Sequence, residues 1–167
     1  MVGWRLYAAH AARGWHRVNV DERTPYAKRL IQRLNYMTLA TADADGQPWN
    51  SPVFCAYDGE KTFYWGSRAA AQHSQNITAN NQGFIAIYDS TIEPGHGEGF
   101  YAKAVCGVLV EMAEIDRAIA LLHQRFGESY MTIDDVRGTA ERRLYKAVVE
   151  SAWVKNLEID VREEVLL

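Results

Sequence analysis

Gly66-Ser67-Arg68 ends the strand pattern of Lys61 to Trp65 and opens a polar stretch that holds Gln72 and His73. A serine and an arginine at the step from a strand into a short helix form an anion-binding pattern. Arginine offers a planar fork of charged donors, the hydroxyl adds a neutral one, and a helix N-terminus adds unpaired N–H groups. The chemistry that suits such a corner is recognition of a phosphate group. Ser67 reads as the N-cap of a helix from about Arg68 to Ala79. His73, one helical turn on from Ala69, comes within reach of the same anion, as does Gln72. The competing reading is plainer: a capping serine, a solvated arginine and a histidine used for packing.

Other side chains offer less. Trp49, Tyr64 and Trp65 have the aromatic faces that shape a ligand pocket, although strand aromatics ordinarily belong to the core. His96 and Glu98 sit in a stretch with Pro94, Gly95 and Gly97, where they suit a lid or an acid/base pair, against the simpler reading of a solvent loop. His123 lies beside an apolar helical stripe and reads as structural. Cys55 and Cys106 fall inside apolar strand patterns, as buried free thiols do in a reducing cytoplasm. There is no CxxC or Cys/His cluster to suggest a metal, and no Ser-His-Asp order, paired-carboxylate motif or P-loop.

The elements that must position this corner follow from periodicity. Thr24 and Pro25 open a helix, as N-cap and first helical residue, with Ala27, Leu30, Ile31 and Leu34 on one stripe. Three strands follow, Met37 to Ala42, Pro48 to Tyr57 and Lys61 to Trp65. The turns at Asp43-Ala44-Asp45-Gly46 and Asp58-Gly59 separate them, and the three read as an antiparallel meander. Phe84 to Asp89 and Gly99 to Glu111 are further strands. Ile115, Ala118, Ile119, Leu122 and Phe126 mark an amphipathic helix stopped by Gly127. Arg143 to Val149 and Ala152 to Leu157 read as two last strands, and the stretch from Met131 to Thr139 has no clear pattern. The expected fold is mainly β with some helix: six to seven short antiparallel strands in a small barrel, flanked by helices.

Composition sets the outer limits. The chain has 167 residues, 48% apolar and 23% charged, which is the balance of a folded domain that builds its core without metals or disulfides. Eighteen Lys/Arg against 21 Asp/Glu give a net charge of −3, which argues against nucleic acid as a partner. Seven of the cations lie in residues 1–33, and the first twenty residues hold no acid, a faint likeness to an organelle transit peptide. The plainer reading divides the chain into a basic arm over 1–23, one domain over 24–158 and a tail over 159–167 that docks on a neighbour. No secretory signal stands out. The longest later apolar run, Ala104 to Val110, is far too short to span a membrane, so a cytoplasmic protein with no membrane partner is expected.

Taken in order, Leu39-Ala40-Thr41, Asp45-Gly46-Gln47-Pro48, the strand Asn50 to Tyr57, Phe63-Tyr64-Trp65-Gly66-Ser67-Arg68, and Asn76-Ile77 ahead of Phe84-Ile85-Ala86-Ile87 resemble the pyridoxamine 5′-phosphate oxidase-like, FMN-binding split-barrel family. Arg143-Leu144-Tyr145 and Ala152-Trp153-Val154 resemble its last strands. The resemblance implies a split β-barrel, a homodimer, and FMN held in grooves between the subunits. It also implies oxidoreductase chemistry on a small-molecule redox substrate. The alternatives it leaves are a non-catalytic flavin- or haem-binding module and a deazaflavin-dependent reductase. By position, Ser67 and Arg68 match the family's phosphate contacts, with Gln72 and His73 beside them. Asn50, Ser51, Pro52 and Val53 match the strand along the flavin ring, with Trp65 a candidate to stack on a flavin or shape its pocket and Gly66 leading into the Ser67-Arg68 step. Three departures stand out. The oxidases carry cationic phosphate ligands where this chain has Asn50 and Cys55, and a lysine where it has Ala69. Residues 140–152 also lack the Arg/His substrate segment of true pyridoxamine phosphate oxidases, so vitamin B6 phosphate is not the expected substrate.

Overall fold

The computed structural model describes residues 22–156 and 160–167. Most of the basic arm, with its transit-peptide likeness, lies outside the described residues. The elements run α1 (Arg23–Arg33), β1 (Tyr36–Ala42), β2 (Pro48–Phe54), β3 (Ala56–Tyr57), β4 (Thr62–Arg68), α2 (Gln72–Ala79), β5 (Gln82–Tyr88), β6 (Gly99–Val108), α3 (Met112–Phe126), β7 (Arg142–Asn156) and β8 (Val161–Val165). The strands form one antiparallel sheet in the order β2-β1-β5-β6-β7-β4-β3, with β8 on β7. The sheet curls into a half-barrel with three helices, the split-barrel fold.

Alternation along the strands builds two cores. On β4, Phe63 and Trp65 point into the main core with Met37, Leu39, Ile85 and Phe100, while Tyr64 points the other way. That second face is covered by α3, whose Ile115, Ala118 and Leu122 meet Tyr64 and Leu144. α3 ends where Gly127 takes a φ of +92°, a conformation that favours glycine, and its N–H bonds the His123 carbonyl at 2.8 Å.

Four sequence expectations change. The strand expected over Pro48 to Tyr57 breaks at Cys55. β2 pairs with β1, whereas β3 pairs with β4, so the first three expected strands are not a meander but open and close the sheet order. Cys55 is fully buried and its N–H goes to Asn35 O, which turns the chain from one edge to the other. The two strands expected after Arg143 are one strand, β7, bulged at Glu150: Lys103 pairs with Ser151 and Ala104 with Val149. The tail docks on its own chain as β8, with Val165 in the core. Thr24 is not a cap, since α1 starts at Arg23 and the Thr24 hydroxyl donates to Leu166 O, 2.5 Å away.

Candidate cofactor-binding corner

β4 ends at Ser67 and Arg68, and α2 begins four residues later. The helix cap is Ala71, with φ −67° and ψ 145°, whose carbonyl accepts from Ser74 N and Gln75 N. Ser67 is therefore not the cap: it is still in the strand, which leaves its hydroxyl for another partner. α2 is a polar helix, QHSQNITA, and is held to the barrel largely by hydrogen bonds. Asn76 is buried and donates through Nδ2 to Thr41 Oγ1 of β1 at 3.0 Å, while Gln72 Nε2 donates to Asn76 Oδ1 at 2.8 Å.

His73 is the hub. Its Nε2 lies 2.7 Å from Ser67 Oγ of β4, and its Nδ1 lies 3.1 Å from Ser51 Oγ of β2. Trp49 Nε1 donates to the same Ser51 oxygen at 3.1 Å. β2 and β4 share no ladder. One imidazole thus ties together two strands that the sheet leaves apart, at the open side of the barrel. Burial alone pushes the His73 pKa down, so the ring is neutral near pH 7 and carries a single N–H.

The other candidate residues do not all share this hub. The Arg68 side chain is 67% exposed and meets Glu141 only at 3.6 Å, and across the ladder its register partner is Arg142. Asn50 and Pro52 are exposed on β2, while Val53 is half-buried and packs on the main core. Ser51, expected to serve a ring through its main chain, places its hydroxyl in the hub instead. Trp65 is 0% exposed and stacks on Tyr145 with centroids 5.7 Å apart, so its indole belongs to the core and does not line the corner. Gly66 is half-buried, and the end of the Met131 side chain occupies the space a Cβ there would fill. Tyr64 is buried in the second core; of the three candidate aromatics only Trp49, 50% exposed, reaches the surface. Glu98 is bound by Arg33, which also reaches Asp89 at 3.6 Å, so the two ends of the Gly-rich loop are tied together. His96 is exposed on that loop, and His123 is held by the Met131 carbonyl. Among the described residues no group of His, Cys, Asp or Glu is placed to hold a metal ion.

The sequence reading missed the Ser51 link and the Asn76–Thr41 anchor. A signal for them existed: His73, Asn76 and Ile77 recur at helical spacing, so two polar residues share the buried face of α2 with an apolar one. Polar groups in that position need partners on the strands beneath them. On the other side of the sheet, Tyr36, Thr38, Pro52, Ala86, Tyr88 and Ser90 line a shallow groove across β2, β1 and β5.

The family model described as pyridoxamine 5′-phosphate oxidase matches residues 24–156. The chain belongs to that family. The fold is also that of several solved structures. It is similar to HutZ, the haem storage protein of Vibrio cholerae, at 23% identity over 81% of this chain and 92% of that one, with a TM-score of 0.65. It is similar to a haem-binding protein of Mycobacterium smegmatis at 18% identity and a TM-score of 0.70, covering 86% of this chain but 57% of that one. ChuZ of Campylobacter jejuni matches at 14% identity and a TM-score of 0.69, over 85% of this chain and 58% of that one. At such identities the likeness concerns the fold. No curated protein matches the sequence. No helix among the described residues is long and apolar enough to cross a membrane.

Proposed function

We propose that this family member binds FMN at the corner where β4 meets α2, as a homodimer, and acts as a flavin-dependent oxidoreductase on a small molecule in the cytoplasm. The observation that carries this reading is the end of β4, where the Ser67 hydroxyl is followed in sequence by the exposed Arg68, four residues before a helix whose first N–H groups precede its hydrogen-bonded ladder. These donors suit a phosphate. Arg68 supplies charge and a fork of N–H groups, and Ser67 a hydroxyl that His73 holds in position. Asn50 to Val53, on an edge strand, offer polar main chain to a ring, except at Pro52, which lacks an N–H. When bound, the flavin supplies hydride or electron transfer, and the protein supplies orientation and shielding from water.

Haem is the second reading, and a specific observation favours it: similar folds include proteins described as haem-storing and haem-binding. The donors at the corner suit an anion, and the family match supports a flavin while the likenesses support haem. Haem propionates are anions that Arg68 would also recognise. A deazaflavin coenzyme would use the same barrel. Absorption spectra of the purified protein after incubation with FMN or with haem, followed by desalting, separate the readings. Retained flavin at one per chain is expected. Retained haem with no flavin would replace the first reading by the second.

A further inference from the structure

The hub holds more hydrogen-bonding capacity than it uses. In its neutral form it contains three hydrogens for the His–Ser pairs: one imidazole N–H and the hydroxyl hydrogens of Ser51 and Ser67. The two His–Ser bonds consume two of them, whichever nitrogen is protonated, and one hydroxyl hydrogen is left to turn away from the ring. Adding a proton makes both nitrogens donors. Ser51 Oγ then accepts from His73 and from Trp49, which fills both its lone pairs, so its own O–H must point elsewhere. Ser67 likewise turns its hydrogen out. Protonation therefore raises the outward O–H groups from one to two and adds a positive charge to the hub.

We infer that His73 couples anion binding to proton uptake: the corner takes a phosphoryl anion together with one proton from solvent, which is held on the His73 ring between Ser51 and Ser67. This rests on the corner being the phosphate site proposed above. It makes His73 a positioning residue that acts through the two serines rather than a contact of its own.

The surroundings of His73 allow such coupling because they are nearly free of charge. α2 has no other ionisable residue, and neither has β2. β1 contributes only Tyr36, at its far end, opposite Phe54. β6 carries Tyr101, Lys103 and Cys106, of which Lys103 is exposed and Cys106 is a buried thiol. β4 carries Tyr64, turned into the second core, and Arg68, with Glu141 beyond it, and opposite Ser67 on β7 stands Arg143, whose guanidinium donates to the Gly138, Ala140 and Arg142 carbonyls. Desolvation is the cause that lowers the His73 pKa, with no carboxylate opposing it. An arriving anion is thus the first negative charge that the ring meets, and a nearby negative charge favours the protonated form.

The test measures FMN affinity by quenching of flavin fluorescence between about pH 6.5 and 8.5, where the phosphate, with a second pKa of about 6, is mostly a dianion. Wild type should bind more tightly as pH falls, with the dissociation constant dropping by up to about tenfold per pH unit at full coupling. His73→Gln should give a flat profile, and so should riboflavin, which lacks the phosphate, with wild type. Parallel profiles for wild type and His73→Gln would overturn the coupling and leave the flavin reading standing. FMN that fails to bind at every pH would remove the flavin reading. The coupling is then decided on wild type alone, by following the His73 imidazole resonances in a pH titration with and without inorganic phosphate. An upward shift of that titration supports it, and an unmoved titration overturns it.

Discussion

At the scale of single residues, the proposed reading gives Arg68 and His73 different parts at the corner, and their burial separates them. Arg68 is exposed and its contact with Glu141 is loose, so it contributes little to folding and is available to a ligand. Arg68→Ala should leave thermal unfolding unchanged and weaken FMN binding by about 1.5–3 kcal/mol, the range of a hydrogen bond to a charged group. An unaltered dissociation constant in a fluorescence titration would remove Arg68 from the site. His73 behaves in the opposite way. Its folded pKa lies below the unfolded value of about 6.5, so protonation favours the unfolded chain. The stability it contributes is complete above about pH 6.5 and is lost as pH falls from there toward the depressed folded value. In ligand-free protein, urea unfolding at pH 7.5 and 5.5 should show a larger acid loss for wild type than for His73→Gln, which keeps an amide between the serines. Equal losses would mean that the ring is not held neutral. The position of Ser67 and Arg68 at the end of a strand just before a short helix was legible from residue types alone. The Ser51 hydroxyl was not, because β2 and β4 come together only through the curl of the sheet, and no local spacing encodes that.

At the scale of elements, periodicity carried α3 well. Leu122 is fully buried against Tyr64 and Leu144, on the face its spacing marked. Leu122→Ala should cost about 2–5 kcal/mol in denaturant unfolding, the range for truncating a buried leucine. Because α3 covers the face of the sheet opposite the main core, ligand affinity of the folded variant should stay unchanged. A midpoint that does not move would show that the second core adds nothing to the fold. The strands show where pattern reading stops. Pro48 to Tyr57 has the composition of one strand, but the Cys55 N–H goes to Asn35 O rather than into a ladder, and from the next residue the chain serves the other edge. Conversely, Glu150-Ser151 looks like a turn between two strands, yet β7 runs through it by bulging one residue. In both places the outcome depends on which strand lies alongside, and that information is non-local. Cys55 itself is inert: burial pushes its pKa up to about 12, so it stays a thiol in the core.

At the scale of the whole molecule, the unresolved demand is the outer face of β2, β1 and β5. Here Tyr36 and Tyr88 are both half-exposed, and among the described residues no helix residue lines the groove they border. Aromatic side chains on an uncovered sheet face mark a contact surface. A second copy of the chain is the partner in the proposed reading. Pro52 joins the two sites, since it lies on that groove while its neighbour Ser51 reaches the His73 hub. If two copies close over this face, the ring of a ligand anchored at Arg68 runs toward the partner subunit, and dimerisation and retention of the ligand depend on each other. Tyr88 is the place to break the contact, because at 55% exposure it can change without disturbing the core. Tyr88→Glu should sediment as a monomer at concentrations where wild type is a dimer, with an unchanged unfolding midpoint in the ligand-free protein and with FMN lost on desalting. A dimeric Tyr88→Glu would place the subunit contact elsewhere. A monomer that still holds FMN as tightly as wild type would mean that Ser67, Arg68 and the His73 hub make up the whole site within one chain.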